Sequence, residues 1–280
     1  MSQHSLTSAP AKALVPMAGE AGVLKHLWWN FADTYIVMKR NLMYFVREPQ
    51  LLIFATVQPI MFLVLFTYVF GGVISFSTGG DYINYLMPGI VIQSIIFASS
   101  NTTVGLSLDL SRGMIDRFRS LPMSRAAVLA GRTAADTVRG FFTISIMLMA
   151  GYVIGFRFAD WGTGLAGLLL AVAFGYAFTW ISATIGLLVK DPEAAQVAGF
   201  IWLFPLTFAS SIFVPTRTMP DWLRTFAENQ PVSIVAGTVR ELMTGTVNPD
   251  GIATSLAWII GIVVVFMPLA VRQYAKVASR

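Results

Sequence analysis

Long uncharged segments alternate with short charged ones along this chain. Six segments contain no Asp, Glu, Lys or Arg, and together they make up half of the 280 residues. A helix that crosses the hydrocarbon core of a bilayer needs about 20 apolar residues, and only the segment 140–156 is shorter, so we extend its start to 136. The pattern predicts an all-α membrane protein with six transmembrane helices. They lie at about 51–74, 83–108, 136–156, 161–189, 194–216 and 251–271.

Shorter helices are predicted on both sides of the membrane. Residues 24–48 place apolar side chains at spacings of three and four with basic residues largely opposite, which is typical of an amphipathic helix in the membrane interface. A helix packed on a soluble partner is the alternative. The connection 217–250 is too apolar for a solvated loop, so it predicts two short re-entrant helices in the outer leaflet. Residues 1–22 are expected to be a disordered cytoplasmic tail before one transmembrane domain, 23–280.

The distribution of basic residues predicts the orientation. Only 12% of the residues are charged, against about 25% in soluble domains. If the N-terminus is cytoplasmic, 15 of the 19 Lys and Arg residues lie inside, so the positive-inside rule places both termini in the cytoplasm. The pI near 9.6 therefore reflects topology, and no nucleic-acid partner is expected. Because there is no cysteine, disulfides and thiol chemistry are excluded.

Motifs for catalysis are absent from the sequence. It has no Walker A motif and no Gly-Lys pair, and neither histidine has a partner at metal-ligand spacing. The uncharged segments offer only neutral polar groups, which argues against an ion-coupled carrier. Such groups usually form interhelical hydrogen bonds; for Gln93 and Asn101, contact with a substrate is the other reading. The candidate substrate path consists of Gln58, Gln93, Asn101, Phe204 and Phe208.

The loop Asp109–Arg125 is basic and also amphipathic. Its apolar side chains Met114, Ile115 and Phe118 form a ridge among Arg112, Asp116, Arg117 and Arg119. Charges alone would fit an ordinary cytoplasmic loop, but an exposed apolar ridge is expected to bury against a partner. A transporter without buried charges or a nucleotide motif needs an external source of work. The loop is therefore predicted to dock on a separate motor subunit.

Two motifs resemble those of ABC-2 type permeases, and most closely the daunorubicin-resistance branch. The first is Arg112-Gly113-Met114-Ile115-Asp116-Arg117 followed by Leu121-Pro122-Met123-Ser124-Arg125. The second is Phe204-Pro205 through Phe213-Val214-Pro215, followed by Met219-Pro220-Asp221-Trp222-Leu223 and Asn229 to Ser233. The resemblance extends from about Leu24 to the C-terminus. Gln230 departs from it, since many relatives have Asn-Pro directly.

The resemblance implies a non-catalytic permease subunit of an exporter in the bacterial plasma membrane. It would move a hydrophobic or amphipathic molecule, such as an antibiotic-like drug or a lipid, and spans one, two and five would line the route. Expected partners are two copies of a cytoplasmic ABC ATPase, which hold ATP and Mg, a second permease, identical or paralogous, and membrane lipids; this chain needs no cofactor. The coupling residues would be Arg112, Gly113, Met114, Ile115, Asp116, Arg117, Phe118 and Arg119, and a second contact Lys190, Asp191 and Glu193. An ion-coupled carrier and a membrane-embedded enzyme scaffold are the alternative functions.

Overall fold

The computed structural model describes residues 33–43, 47, 49–78, 82–113 and 125–277, and these residues form helices and connecting turns without a strand. A π-helical segment, Phe66–Phe70, joins α2 to α3, and a 3-10 turn, Thr216–Thr218, precedes α8. The helices are α1 (33–43), α2 (Pro49–Leu65), α3 (Gly71–Thr78), α4 (Tyr82–Ser111), α5 (Arg125–Ile154), α6 (Trp161–Leu188), α7 (Pro192–Phe208), α8 (Asp221–Asn229), α9 (Pro231–Met243) and α10 (Pro249–Val277).

Helices α4 and α6 form the centre of the bundle, and their close contact depends on small and hydroxylated side chains. Ser99 Oγ and Ser182 Oγ are 2.9 Å apart, and Thr103 Oγ1 donates to Ser182 O at 2.9 Å. A methyl group at Gly186 would lie 2.5 Å from Thr103 O. The small residues predicted to allow close approach in this span therefore do so, because α6 lies almost backbone to backbone against α4.

Helices α2, α3 and α10 lie at the periphery with large apolar side chains exposed, as expected for helices that face lipid. Pro59 is tolerated inside α2, and the π segment follows about two turns later. Such π segments accommodate an extra residue within a helix. The predicted first span, 51–74, therefore corresponds to one interrupted helix, and five helices of the described chain are long and apolar enough to cross a membrane.

The predicted fifth span, 194–216, is wrong at its C-terminal end. Helix α7 stops at Phe208 after 17 residues, which is about 26 Å at 1.5 Å per residue. The chain then turns, because polar side chains take up the backbone groups that a longer helix would use: Ile212 N donates to Ser210 Oγ at 3.2 Å, and Gln230 Nε2 donates to Ala209 O. Six transmembrane helices thus stay a prediction, with α7 as a short sixth member.

Helix α5 begins well before the predicted third span, 136–156. It extends over Arg125–Ile154, and its candidate membrane span is Val128–Ile154. Arg132, Asp136 and Arg139 therefore lie within a candidate membrane span, and Asp136 and Arg139 are only 8% and 7% exposed. The expectation that the spans contain only neutral polar groups is wrong here. The predicted spans were defined as uncharged segments, so they excluded charged residues that the helix bundle buries.

Two short helices occupy the connection 217–250, as predicted. Helix α8 is largely exposed, including Trp222, whereas α9 packs between α4, α6 and α10. Arg240 links α9 to α4 and to the turn after α7. Its guanidinium lies 3.7 Å from the centre of the Tyr85 ring and donates hydrogen bonds to Tyr85 O and Ser211 O, each at 2.9 Å. The position of α8 and α9 in the outer leaflet stays a prediction.

The predicted interfacial helix 24–48 is helical where the structure describes it. Val37 is buried against α5, where Gly131 leaves room for the Thr34 carbonyl and the Val37 side chain, while Tyr35 and Ile36 are exposed. Contact with α5 thus covers one side of α1. The predicted tail 1–22 and residues 24–32 lie outside the described residues, so the membrane position of this helix stays a prediction.

Candidate functional site

Four helices enclose a cavity of about 270 Å³, which we name the amide cavity. Spans one, two and five contribute α2, α4 and α7, as the resemblance implied, and α5 adds a fourth wall. Three side chains of the predicted substrate path, Gln58, Gln93 and Asn101, line this one cavity. The other described lining residues are Ala55, Pro59, Phe62, Ser94, Phe97, Ala98, Ser100, Val104, Arg139, Thr143, Gln196 and Phe200.

Gln93 lines the amide cavity, and its surroundings differ from those of a polar residue that bonds to a neighbouring helix. Its side chain is only 2% exposed, and neither Nε2 nor Oε1 has a hydrogen-bond partner among the described residues. A buried amide without partners loses several hydrogen bonds, so it usually meets water or a ligand. For Gln93 the structure therefore favours the substrate-contact reading.

The remaining polar residues of these spans divide between the two readings. Ser99, Thr102 and Thr103 make hydrogen bonds to other helices, which is the structural role expected of such groups. Asn101 is exposed and donates only to Ala98 O of its own helix at 3.0 Å. Since its side chain makes no bond to another helix and lines a cavity, it belongs with Gln93.

Phe204 and Phe208 lie next to the amide cavity rather than in its wall. Their rings stack on each other with centres 5.6 Å apart, and Phe204 lies 5.4 Å from Phe97, which does line the cavity. Phe208 in turn stacks on Phe213 at 5.2 Å. These rings form a continuous aromatic surface that leads from the cavity along α7 towards the turn after Phe208.

A second and larger cavity of about 720 Å³ opens where α4 ends and α5 begins. We name it the arginine vestibule, because five of its described lining residues are arginines. It shares Ala55, Asn101, Val104 and Arg139 with the amide cavity, so the two spaces are adjacent along one path. The described lining residues are Arg40, Asn41, Met43, Arg47, Ala55, Asn101, Val104, Gly105, Leu108, Asp109, Arg112, Arg132, Asp136 and Arg139.

One ion pair and two hydrogen bonds at the wall of the vestibule join α4 to α5. Asp136 accepts a hydrogen bond from Thr102 Oγ1 at 2.6 Å, and Arg139 lies 3.9 Å from Asp136 and donates to Ala98 O at 3.2 Å. Arg132 pairs with Asp109. The network was not predicted from the sequence, in which Arg132 and Arg139 counted only as cytoplasmic basic residues. The spacing of 132, 136 and 139 on one helical face was the available signal.

Of the predicted coupling residues, the structure describes Arg112 and Gly113. Arg112 is exposed at the vestibule, and Gly113 has φ +64°, with its N–H donating to Leu110 O at 3.1 Å. This left-handed residue ends α4, because only glycine adopts that conformation without strain. Met114, Ile115, Asp116, Arg117, Phe118 and Arg119 lie outside the described residues, so their coupling role stays a prediction.

The second predicted contact, Lys190, Asp191 and Glu193, is an exposed turn between α6 and α7. Asp191 has a structural task there: it caps α7, accepting a hydrogen bond from Ala194 N at 3.0 Å, and Pro192 follows at the first helical position. Lys190 and Glu193 are both exposed. The docking role of the turn is untested.

Comparisons with known proteins agree with the family suggested by the motifs. The sequence profile of the ABC-2 type transporter family matches residues 32–244. The daunorubicin resistance ABC transporter permease protein DrrB1 of Streptomyces coeruleorubidus is 35% identical over 95% of this chain and 88% of its own length. A probable doxorubicin resistance permease, DrrC of Mycobacterium tuberculosis, is 28% identical over 86% and 87%. The putative transport permease ycf38 of Cyanophora paradoxa is 23% identical over 75% and 73%.

Proposed function

The chain belongs to the ABC-2 type transporter family and is a permease subunit of an ABC exporter, and from this premise we propose that its cargo passes through the amide cavity. The observation that carries this proposal is the buried, unpartnered amide of Gln93 facing a cavity between spans one, two and five. The relatives named for daunorubicin and doxorubicin resistance favour a hydrophobic or amphipathic cargo, and outward movement follows from the same resemblance.

The composition of the path supports this substrate class. Aromatic rings at Phe62, Phe97 and Phe200 line the cavity, and Phe204 and Phe208 continue it. Stacked rings offer a large apolar surface with little need for directional bonds, while the amides of Gln58 and Gln93 supply a few hydrogen-bonding groups. Such a surface accepts planar drugs and lipid chains alike, so the proposal covers both classes.

Energy is proposed to come from a partner, because the sequence contains no nucleotide-binding motif of its own. In this proposal two cytoplasmic ATPase subunits bind ATP and Mg, and the segment Arg112–Arg119 docks on them. The exposed turn at Lys190 and Glu193 is the smaller second contact. The permease itself is non-catalytic.

A second permease, identical or paralogous, is proposed to complete the route. Val197 and Ile201 on α7 are 65% and 69% exposed beside a shallow apolar groove that also includes Phe204. A partner helix along α2 and α7 would cover this groove and close the path towards lipid. We further propose six spans with α7 as the short one, and both termini in the cytoplasm of a bacterial plasma-membrane protein.

An ion-coupled carrier is the second candidate, because Asp136 and Arg139 are buried in a spanning helix. Ionisable groups at such positions mark ion pathways in many transporters. Vesicles that contain this permease without any ATPase separate the two candidates. Uptake driven by a proton gradient alone would establish the carrier, whereas the exporter requires ATP and the ATPase subunit.

The test of the amide cavity is a Gln93→Leu substitution in vesicles that hold the permease and its ATPase, with doxorubicin as the probe. Loss of one hydrogen bond to the cargo is worth about 0.5–1.5 kcal/mol, so we expect the apparent KM to rise about 2- to 12-fold. Gln273→Leu on α10 is the matched control, since it makes the same change away from the cavity. Equal transport by both variants would overturn the assignment of Gln93.

A further inference from the structure

We propose that the arginine vestibule binds the anionic head group of an amphiphile, a phosphate-bearing lipid, whose apolar chain extends into the amide cavity. The site deepens the proposed function, on which it rests for the cytoplasmic orientation of the vestibule and for the role of the amide cavity. It names an anionic lipid of the inner leaflet as a ligand of this permease.

Charge is the first argument. Among the described lining residues, five arginines face two aspartates, Asp109 and Asp136, which leaves an excess of three positive charges in one cavity. Both aspartates are already paired, with Arg132 and Arg139 respectively. A cavity with such an excess at the edge of a low-dielectric region attracts anions strongly.

The type of cation is the second argument. Every basic residue of the described lining is an arginine, with no lysine among them. A guanidinium presents a planar fork of donors that matches two oxygens of one phosphate, and it gives up water more easily than an ammonium group. The lining therefore favours specific binding of a phosphate group, whereas a site with only diffuse positive charge would attract any anion.

The shape of the two cavities is the third argument. The vestibule, at about 720 Å³, lies within the usual size range of ligand pockets. Its inner end shares Asn101, Val104 and Arg139 with the amide cavity. A head group held by arginines would thus have its apolar chain directed towards Phe97 and Phe200.

Packing around Arg132 shows that the vestibule wall depends on a small residue. A methyl group at Gly105 would occupy the position of the Arg132 guanidinium. Glycine at 105 therefore lets an arginine of α5 lie flat against α4, where it pairs with Asp109. The guanidinium is held at the wall of the cavity instead of extending into solvent.

The experiment measures lipid binding by the full-length permease, without ATPase or transport. Purified protein is offered an equimolar mixture of phosphatidylglycerol and phosphatidylcholine, and the retained lipids are counted by native mass spectrometry. The vestibule variant is Arg40→Gln with Arg47→Gln, and the matched control is Arg217→Gln with Arg224→Gln, which removes the same charge from exposed positions in 216–229. Thermal unfolding of each variant verifies that it is folded.

We expect the wild-type protein and the control to retain more phosphatidylglycerol than phosphatidylcholine. In the vestibule variant the ratio of the two retained lipids should fall at least about tenfold, because each arginine near an anionic lipid contributes about a factor of five to its binding. Equal loss in both double variants would overturn the site, since it would show general surface attraction. Unchanged preference in the vestibule variant would also overturn it. If that variant does not fold, Arg112→Gln at the exposed end of α4 takes its place.

Inorganic phosphate separates a lipid site from a site for a free anion. If inorganic phosphate displaces bound phosphatidylglycerol at the same concentration as lysophosphatidylglycerol does, the role of the apolar chain is overturned. Weaker competition by phosphate supports the amphiphile. Because binding is measured without transport, normal lipid selectivity in a chain that fails to export would contradict the proposed function and leave the vestibule intact.

Discussion

The contact of α6 with α4 at Gly186 predicts a stability loss from one added methyl group. In Gly186→Ala the new Cβ would lie 2.5 Å from Thr103 O and 2.8 Å from Thr103 Cα, whereas ordinary contacts begin at about 3.4 Å. The neighbouring atoms are backbone and cannot rotate away, so the two helices must separate by about 0.9 Å. This separation also stretches the hydrogen bond from Thr103 Oγ1 to Ser182 O.

Overpacking of this kind costs about 1–3 kcal/mol, and the better helix propensity of alanine offsets up to about 1 kcal/mol. Gly261→Ala is the matched control, because a methyl group there meets nothing within 4 Å. It should be neutral or slightly stabilising. The difference between the two variants is therefore expected to be about 2 kcal/mol, with Gly186→Ala the less stable.

Tryptophan fluorescence during SDS titration measures this difference on the purified chain. Trp180, fully buried on α6 two turns before Gly186, reports the packing of that helix. Gly186→Ala should lose its native fluorescence at a lower SDS fraction than wild type. If it unfolds together with Gly261→Ala, the backbone contact between α4 and α6 is refuted.

Three further predictions concern charge and coupling. Asp136→Asn should destabilise the chain by about 3 kcal/mol or more, because it leaves Arg139 buried without its counter-charge, and Asp136→Leu with Arg139→Leu should recover most of the loss in the same SDS titration. The hydrogen bond from the Thr163 backbone N–H lowers the pKa of Asp160, the N-cap of α6; its stabilisation is therefore present above the ordinary aspartate pKa and lost as pH falls through the lowered one, and Asp160→Asn should make thermal unfolding less sensitive to acid. Phe118→Ala should abolish ATP-driven transport and weaken co-purification of the ATPase while membrane insertion persists; normal export would contradict the coupling assignment.

Much of the fold follows from the one-dimensional pattern of apolar residues. Four of the six predicted spans correspond to candidate membrane helices with similar bounds, and prolines mark the starts of α7, α9 and α10. The glycines of α6 predicted the close helix contacts. These features are local: hydropathy, helix breakers and side-chain size act within a few residues, so they can be read without knowing which helices meet.

The candidate site cannot be predicted in this way. Whether a polar side chain finds a hydrogen-bond partner depends on which residues of other helices lie opposite it. Ser99 and Gln93 are both buried polar residues of α4, yet Ser99 meets Ser182 while Gln93 meets a cavity. No property of the α4 sequence separates them. The sequence proposed Gln93 and Asn101 for the substrate path but left interhelical hydrogen bonding open, and only the structure shows that both line one cavity.

Helix α5, with its buried charges, shows the same difference between features that are local in the sequence and features that depend on contacts with distant segments. The pattern of apolar and charged residues is sufficient to predict a helical membrane protein with a basic amphipathic loop and without a recognisable nucleotide-binding motif. The folded structure was needed to show that Asp136 and Arg139 are buried, that α7 stops at Phe208, and that arginines from separate segments of the chain line one vestibule. Hydropathy sums the transfer energy of each residue alone, whereas a charge is tolerated inside when a distant segment supplies its partner, as Thr102 does for Asp136.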